Sequence, residues 1–330
     1  MENKEVAIVT GANGFVGSHL VDYLLSKNFI VKCLVRQSSN LKWLEDKNVE
    51  IFKCGLFDRD GIKTAMKDVN YVFHVAGVVK AKNTDGYFKG NVDATKILLE
   101  TAEENKHNIK RFVVVSSQTV SGPSYDGKPV NEQTECKPLT TYAKSKFEQE
   151  RLVLSYREKI PVTICRAPAI YGERDTEIFI YFQTFSKGLT SLIGFDKKML
   201  SLLHVADLAA GLYLAATSER SVGEIYFISS EKFYTWDEVG AVTSKELNKK
   251  AIKIRIPHFV VYTLAAFAQF FAIFSSKPAT LNIEKAKDLT QHAWICDTSK
   301  AIKDLGYRQN VSIEEGIKRT CDWYKKMKCI

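Results

Sequence analysis

Eight residues near the start of the chain, Thr10-Gly11-Ala12-Asn13-Gly14-Phe15-Val16-Gly17, narrow the fold more than any other feature. They follow an apolar run, Val6 to Val9, and open an amphipathic stretch, FVGSHLVDYLLSK. Glycine has no Cβ, so three at this spacing permit a tight turn and a close approach of the backbone to a pyrophosphate. A helix starting there turns free N–H groups and the positive end of its dipole toward the phosphates. A glycine triplet alone is weak. Between a strand and a helix it predicts a dinucleotide-binding turn, with Gly11, Asn13, Gly14, Phe15, Val16 and Gly17 as the expected contacts.

The rest of the first half alternates in the way that turn requires. Short β-branched runs at 31–35, 49–53, 71–75, 111–116 and 162–165 are separated by helical patterns such as DGIKTAMKD and NVDATKILLETAEEN. Near-continuous apolar strands predict a parallel sheet buried on both faces, a doubly wound α/β fold of the Rossmann type. The expected division is a nucleotide-binding domain over 1–165 and a smaller, mostly helical substrate-binding region over 166–330, with parts of 199–230 completing the sheet. Between them, residues 121–140 carry turn chemistry throughout and predict a long loop.

Composition excludes several classes. The 47 Lys and Arg against 38 Asp and Glu give a net charge of +9, but they are spread along the chain. A nucleic-acid partner is therefore not expected, since such proteins concentrate their basic residues. Seven scattered cysteines form no C-x-x-C pair and no metal-ligand spacing, so no metal is expected and a reducing cytoplasm fits better than a disulfide framework. The N-terminal MENKEVAIV reads as a strand entry rather than a secretory signal.

Cofactor choice turns on the end of the second strand. NAD users place an acid there for the ribose 2′-OH. This chain has Leu34-Val35-Arg36-Gln37, and a guanidinium suits a 2′-phosphate, with Lys42 near enough in sequence to assist. The residues favour NADP(H) over NAD(H).

The spacing Y-x-x-x-K occurs at Tyr23, Tyr142 and Tyr324. Only Tyr142-Ala143-Lys144-Ser145-Lys146 follows the fifth strand and its loop. Residues four apart share a helix face, so Lys146 is expected to lower the phenol pKa and fit Tyr142 for proton transfer.

The glycine spacing T-G-x-x-G-x-x-G resembles the extended branch of the short-chain dehydrogenase/reductase superfamily, the NAD-dependent epimerase/dehydratase family. The resemblance implies that Ser117, or failing it Thr119, joins Tyr142 and Lys146 in a catalytic triad, and that Lys146 also holds the nicotinamide ribose. It implies that Val75, Ala76 and Gly77 line the cofactor, with Asn91 behind them. Arg166-Ala167-Pro168-Ala169-Ile170-Tyr171-Gly172 resembles the stretch that passes the nicotinamide, placing Pro168 there. A homodimer through helices near 88–104 and 139–158 is implied as well. Two departures narrow the reaction. Gln118 and Thr119 stand where dehydratases carry an Asp-Glu pair, and Ala169 where epimerases carry an Asn. At the adenine end, Gly55 replaces an acid. The nearer likeness is to the dihydroflavonol-reductase and 3β-hydroxysteroid-dehydrogenase side, implying hydride transfer to or from a hydroxyl or ketone carbon of a fairly hydrophobic small molecule. A nucleotide-sugar epimerase with retained NAD is the alternative enzyme, and a non-catalytic NADP sensor a third reading.

Residues 259–274, FVVYTLAAFAQFFAIF, are almost wholly apolar yet shorter than the roughly 20 residues that span a bilayer. They read either as a helix packed over the substrate pocket or as an interfacial helix that contacts a membrane peripherally.

Overall fold

The structure, a computed structural model, describes residues 4–274 and 279–330. Lys277, which flanks the apolar stretch, lies outside the described residues. The first half runs β1 (Val6–Thr10), α1 (Phe15–Ser26), β2 (Ile30–Val35), β3 (Glu50–Lys53), α2 (Arg59–Ala65), β4 (Tyr71–His74), α3 (Thr84–Phe88), α4 (Ala94–Glu104), β5 (Arg111–Ser117), α5 (Thr141–Leu154) and β6 (Val162–Ala167). The second half adds β7 (Ala169–Tyr171), α6 (Phe179–Ser186), β8 (Leu189–Ile193), β9 (Met199–His204), α7 (Val205–Thr217), β10 (Ile225–Phe227), β11 (Phe233–Thr235) and α8 (Trp236–Leu247). It ends with β12 (Ile252–Ile256), α9 (His258–Ala272), α10 (Ile283–Thr290), β13 (Ala293–Trp294), α11 (Ser299–Leu305) and α12 (Ile313–Lys326).

Seven strands form one parallel sheet in the order β3-β2-β1-β4-β5-β6-β10. This is the Rossmann-like α/β architecture expected of alternating strands and helices. Strand residues alternate between its faces. Ala7, Val9 and Val113 pack into a core with Leu20 of α1 and Leu208 and Leu212 of α7. Ile8, Phe112 and Val114 pack into a second core with Ile62 of α2, Leu98 and Leu99 of α4 and Val153 of α5.

Strand order reverses between β1 and β4, which opens a crevice at their C-terminal ends, where ligands of such sheets bind. The edge strand β10 comes from the second half of the chain and pairs with β6. Around buried Pro168 the chain leaves the large sheet, so that β7 pairs instead with β9 in a small sheet that also holds β11 and β13. A third apolar core, built on Tyr171, Phe182, Leu202, Ile317 and Tyr324, fills this second part. Strands β8 and β12 form a parallel ribbon, and β12 runs through Pro257 into α9.

Candidate active site

The glycine turn sits at the C-terminal end of β1. Gly11 has φ +66°, a conformation that disfavours a side chain, and a Cβ on it would come within 3.0 Å of Ala76. A Cβ on Gly17 would stand 2.1 Å from the Gly11 carbonyl, so α1 can approach the turn only without one. Gly14 has little but the Gly11 carbonyl, at 3.2 Å, near its own missing Cβ. No side chain caps the start of α1 and no acid occupies its first turn, leaving the N–H groups of Phe15, Val16 and Gly17 aimed into the crevice. This cradle fits a pyrophosphate.

Segment 75–78 lies across the turn. The Ala76 N–H donates to Thr10 Oγ1 at 3.1 Å, and Val78 is clamped by Asn91, which accepts from its N–H at 2.7 Å and donates to its carbonyl at 3.1 Å. Asn91 also donates to Ser145 Oγ at 2.9 Å and is fully buried. Its amide is thus spent inside the protein. Asn91 positions the 75–78 strip from behind.

Arg36 is exposed at the end of β2, and its guanidinium makes no hydrogen bond or ion pair among the described residues. Asn13 of the glycine turn donates to the Asn40 carbonyl at 3.3 Å, which brings the 36–42 loop against the turn. Lys42 does not join Arg36. Its ammonium rests over the Trp43 ring, 4.2 Å from the centroid.

Ser117, Tyr142 and Lys146 gather around the C-terminal end of β5. Thr140 caps α5 by accepting from the Ala143 N–H, which fixes the helix one residue before Tyr142. Ser117 Oγ accepts from Thr119 Oγ1 at 2.9 Å and from the Thr119 N–H at 3.3 Å, so its own proton is left to give. Thr119 thereby fixes the Ser117 hydroxyl. Lys146 is buried and donates to the Val115 carbonyl at 2.8 Å and to Gln149 Oε1.

Burial dominates the titration of this group. It pushes the Tyr142 phenol up to about 12; the hydrogen bond with Ser117 pulls the other way, and the charge of Asp288 adds to the rise. Burial brings the Lys146 ammonium down to about 8, against the pull of Glu150. The expected lowering of the phenol by Lys146 is not found. The ammonium is turned toward Val115 and Gln149, while the phenol faces Ser117, Tyr87 and Asp288.

A buried row of polar groups joins the triad to the glycine turn. Thr10 Oγ1 meets His74 Nδ1 at 2.8 Å, His74 Nε2 meets Thr95 Oγ1 at 2.8 Å, and Gln149 Nε2 donates to Thr95 Oγ1 at 2.7 Å. Burial lowers His74 to about 3, so the ring is neutral; with Thr95 donating to the Asn91 carbonyl at 2.6 Å, its proton belongs on Nε2.

Behind α5, Arg166 and Glu150 form a buried ion pair at 2.7 Å that ties the helix to β6; Arg166 also donates to Ser121 Oγ at 2.9 Å. His204, fully buried, stands 3.2 Å from the Glu173 carboxylate and edge-on to Tyr171, a packed side chain.

On the substrate side, Glu284 of α10 accepts from the Thr141 N–H at 2.9 Å and its hydroxyl at 2.8 Å, pinning α10 to the start of α5. Asp288, one turn on, has a buried Oδ1 without a hydrogen-bond partner. A cavity of about 690 Å³ opens here, bounded by Tyr87 and Thr141 on one side, Asn282 and Glu284 on another, and Ala266, Phe270 and Ile273 of α9 on a third. The Tyr87 ring lies 6.4 Å from that of Tyr142, so the cavity adjoins the phenol.

Residues 7–229 match the model of the NAD dependent epimerase/dehydratase family. The chain belongs to that family. It is an oxidoreductase of the extended short-chain dehydrogenase/reductase type. Ceramide reductase of Caulobacter vibrioides is 27% identical over 323 residues, covering 98% of this chain and 95% of that protein. Mouse sterol-4-alpha-carboxylate 3-dehydrogenase, decarboxylating, is 26% identical over 334 residues, covering 94% and 89%. Among solved structures, UDP-glucose 4-epimerase of Thermotoga maritima superposes with a TM-score of 0.81 at 21% identity, covering 98% of this chain and 99% of that one.

Proposed function

We propose that the protein moves a hydride between NADP(H) and a hydroxyl or ketone carbon of a largely apolar small molecule. The observation that carries this reading is the convergence of Ser117, Tyr142 and Lys146 beside a cavity with one apolar wall. In the reducing direction the nicotinamide, when bound, would supply the hydride for the carbonyl carbon. Ser117 donates a hydrogen bond to the carbonyl oxygen, and Tyr142 gives it the phenolic proton. In the oxidising direction the same proton returns to Tyr142. Lys146, beside Gly77 and charged below about pH 8, lies on the cofactor side to hold the ribose.

The apolar wall supplied by α9 and the polar rim at Asn282 and Glu284 suit a molecule with a hydrocarbon body and a polar group. Two relatives act on lipids, a ceramide and a sterol, which supports the same substrate class. Family likeness makes a homodimer through α4 and α5 part of this reading.

Tyr142→Phe tests the mechanism. It removes the transferable proton while leaving the ring, so turnover of apolar ketones should fall at least about a hundredfold, with cofactor binding by fluorescence unchanged. Unaltered turnover would remove the assignment. Titrating NADPH against NADH tests the cofactor. Tighter NADPH binding that is lost in Arg36→Ala is expected, and equal or tighter NADH binding would sink the role of Arg36. Cofactor retained through gel filtration, with nucleotide sugars interconverted and no net redox turnover, would establish the epimerase alternative instead.

A further inference from the structure

Of helix α9 only Val261 and Ala265 are buried, against Ala286 of α10. Its outward arc carries Phe259, Phe267 and Phe271, exposed to 72%, 61% and 65%, together with Leu264. At 100° per residue these positions fall on one half of the helix. Thr263, within that arc, satisfies its hydroxyl on the Phe259 carbonyl and asks nothing of solvent. The helix carries no Asp, Glu, Lys or Arg between His258 and Phe274.

An apolar face of this size on a soluble surface marks a contact site. We infer that α9 is an in-plane docking helix for an anionic lipid surface, and that the catalytic cavity opens at that surface. Fifteen residues give a helix of about 22 Å, short of the roughly 30 Å hydrocarbon core, so the helix lies in the interface rather than crossing it. Among the described residues no helix is long and apolar enough to cross a membrane.

Charge selects the partner. On α10, packed against α9, the exposed side chains are Lys285 and Lys287, whereas Glu284 is bonded to Thr141 and the Asp288 carboxyl is turned inward. Anionic headgroups neutralise those lysines, and the net charge of +9 draws the whole molecule the same way. Pairing the face with a second copy would instead bring two sets of lysines together. Phe270 and Ile273 belong both to the exposed face and to the cavity wall, so they form a shared rim. Docking stands on the helix alone; only the passage of substrate from lipid into the cavity rests on the oxidoreductase reading.

The test is flotation with phosphatidylcholine vesicles containing about a quarter phosphatidylglycerol. The intact protein should rise with these vesicles and bind neutral phosphatidylcholine vesicles at least about tenfold less. The triple variant Phe259→Ser, Phe267→Ser, Phe271→Ser should lose at least about tenfold in partition. Because these rings are exposed, it should keep its melting temperature and its nicotinamide dinucleotide binding. The proposal is overturned if the intact protein stays below the vesicles, if the triple variant floats equally, or if neutral vesicles bind as well. It is overturned equally if the substitutions split a dimer of a protein that ignores lipid. Loss of dinucleotide binding with flotation intact would count against the active-site reading and leave docking standing.

Discussion

The phenol of Tyr142 lies within the field of Asp288, whose own carboxyl is pushed up to about 6 by burial, with Lys285 opposing and Glu284 adding to the rise. Above that pH the carboxylate is charged and disfavours the phenolate. Asp288→Asn removes the charge, so the phenol pKa must fall. In the oxidising direction, where the phenolate accepts the proton, the acidic limb of the kcat/KM profile should move down by about half a pH unit or more. An unmoved limb, or one moved upward, would show that the carboxyl does not act on the phenol. Single residues were unevenly legible in the sequence. Tyr142 and Lys146 are four apart on one helix, and their spacing announced them. Gln149 shares their neighbourhood and was missed, although it sits three residues from Lys146. Asp288 and Glu284 carried no signal, because only the tertiary fold brings Glu284, 143 positions away, beside Thr141, and Asp288 one turn on. The sequence places Asn91 behind the 75–78 strip but does not tell that its amide clamps Val78 and bonds Ser145. A motif marks that a residue is near the cofactor but not what its amide bonds to.

At the scale of elements, the six strands read from apolar runs all form; burial on both faces marks the inner ones with uninterrupted apolar and β-branched residues, whereas β3 is an exposed edge. The short strands β7, β11 and β13 have two or three residues each, too few for a period to register, and their pairing with β9 is set by distant segments. The loop at 121–140 held its predicted character. It is fastened by Arg166 to Ser121 and by a bridge between Val130 and Cys296 rather than by structure of its own. For α9 the sequence left two readings open, pocket cover or lipid contact. The structure shows why they compete: one edge of the helix lines the cavity while another faces solvent.

For the whole molecule, a division at residue 165 separates two kinds of work but not two independent folds. Leu208, Leu212, Tyr226, Ile228, Ala301 and Tyr307 share one apolar core with Ala7, Val9 and Leu20. A chain ending at 165 would lose β10 from the sheet edge and α7 and α11 from one face. Several buried side chains at about 1.5–3 kcal/mol each are together comparable to the 5–15 kcal/mol by which domains are stable. Such a fragment should bind a dye for exposed apolar surface and show no cooperative melt. A sharp transition near that of the full chain would contradict this account.

The row of hydroxyl, imidazole and amide from Thr10 through His74, Thr95 and Gln149 to Lys146 has a further bearing on how the two ligands meet. None of these groups faces water, so none can turn without stranding its neighbour. The seats proposed for the phosphates and for the ribose are therefore cut from one rigid piece, and the distance between them is a dimension of the scaffold that is set before anything binds.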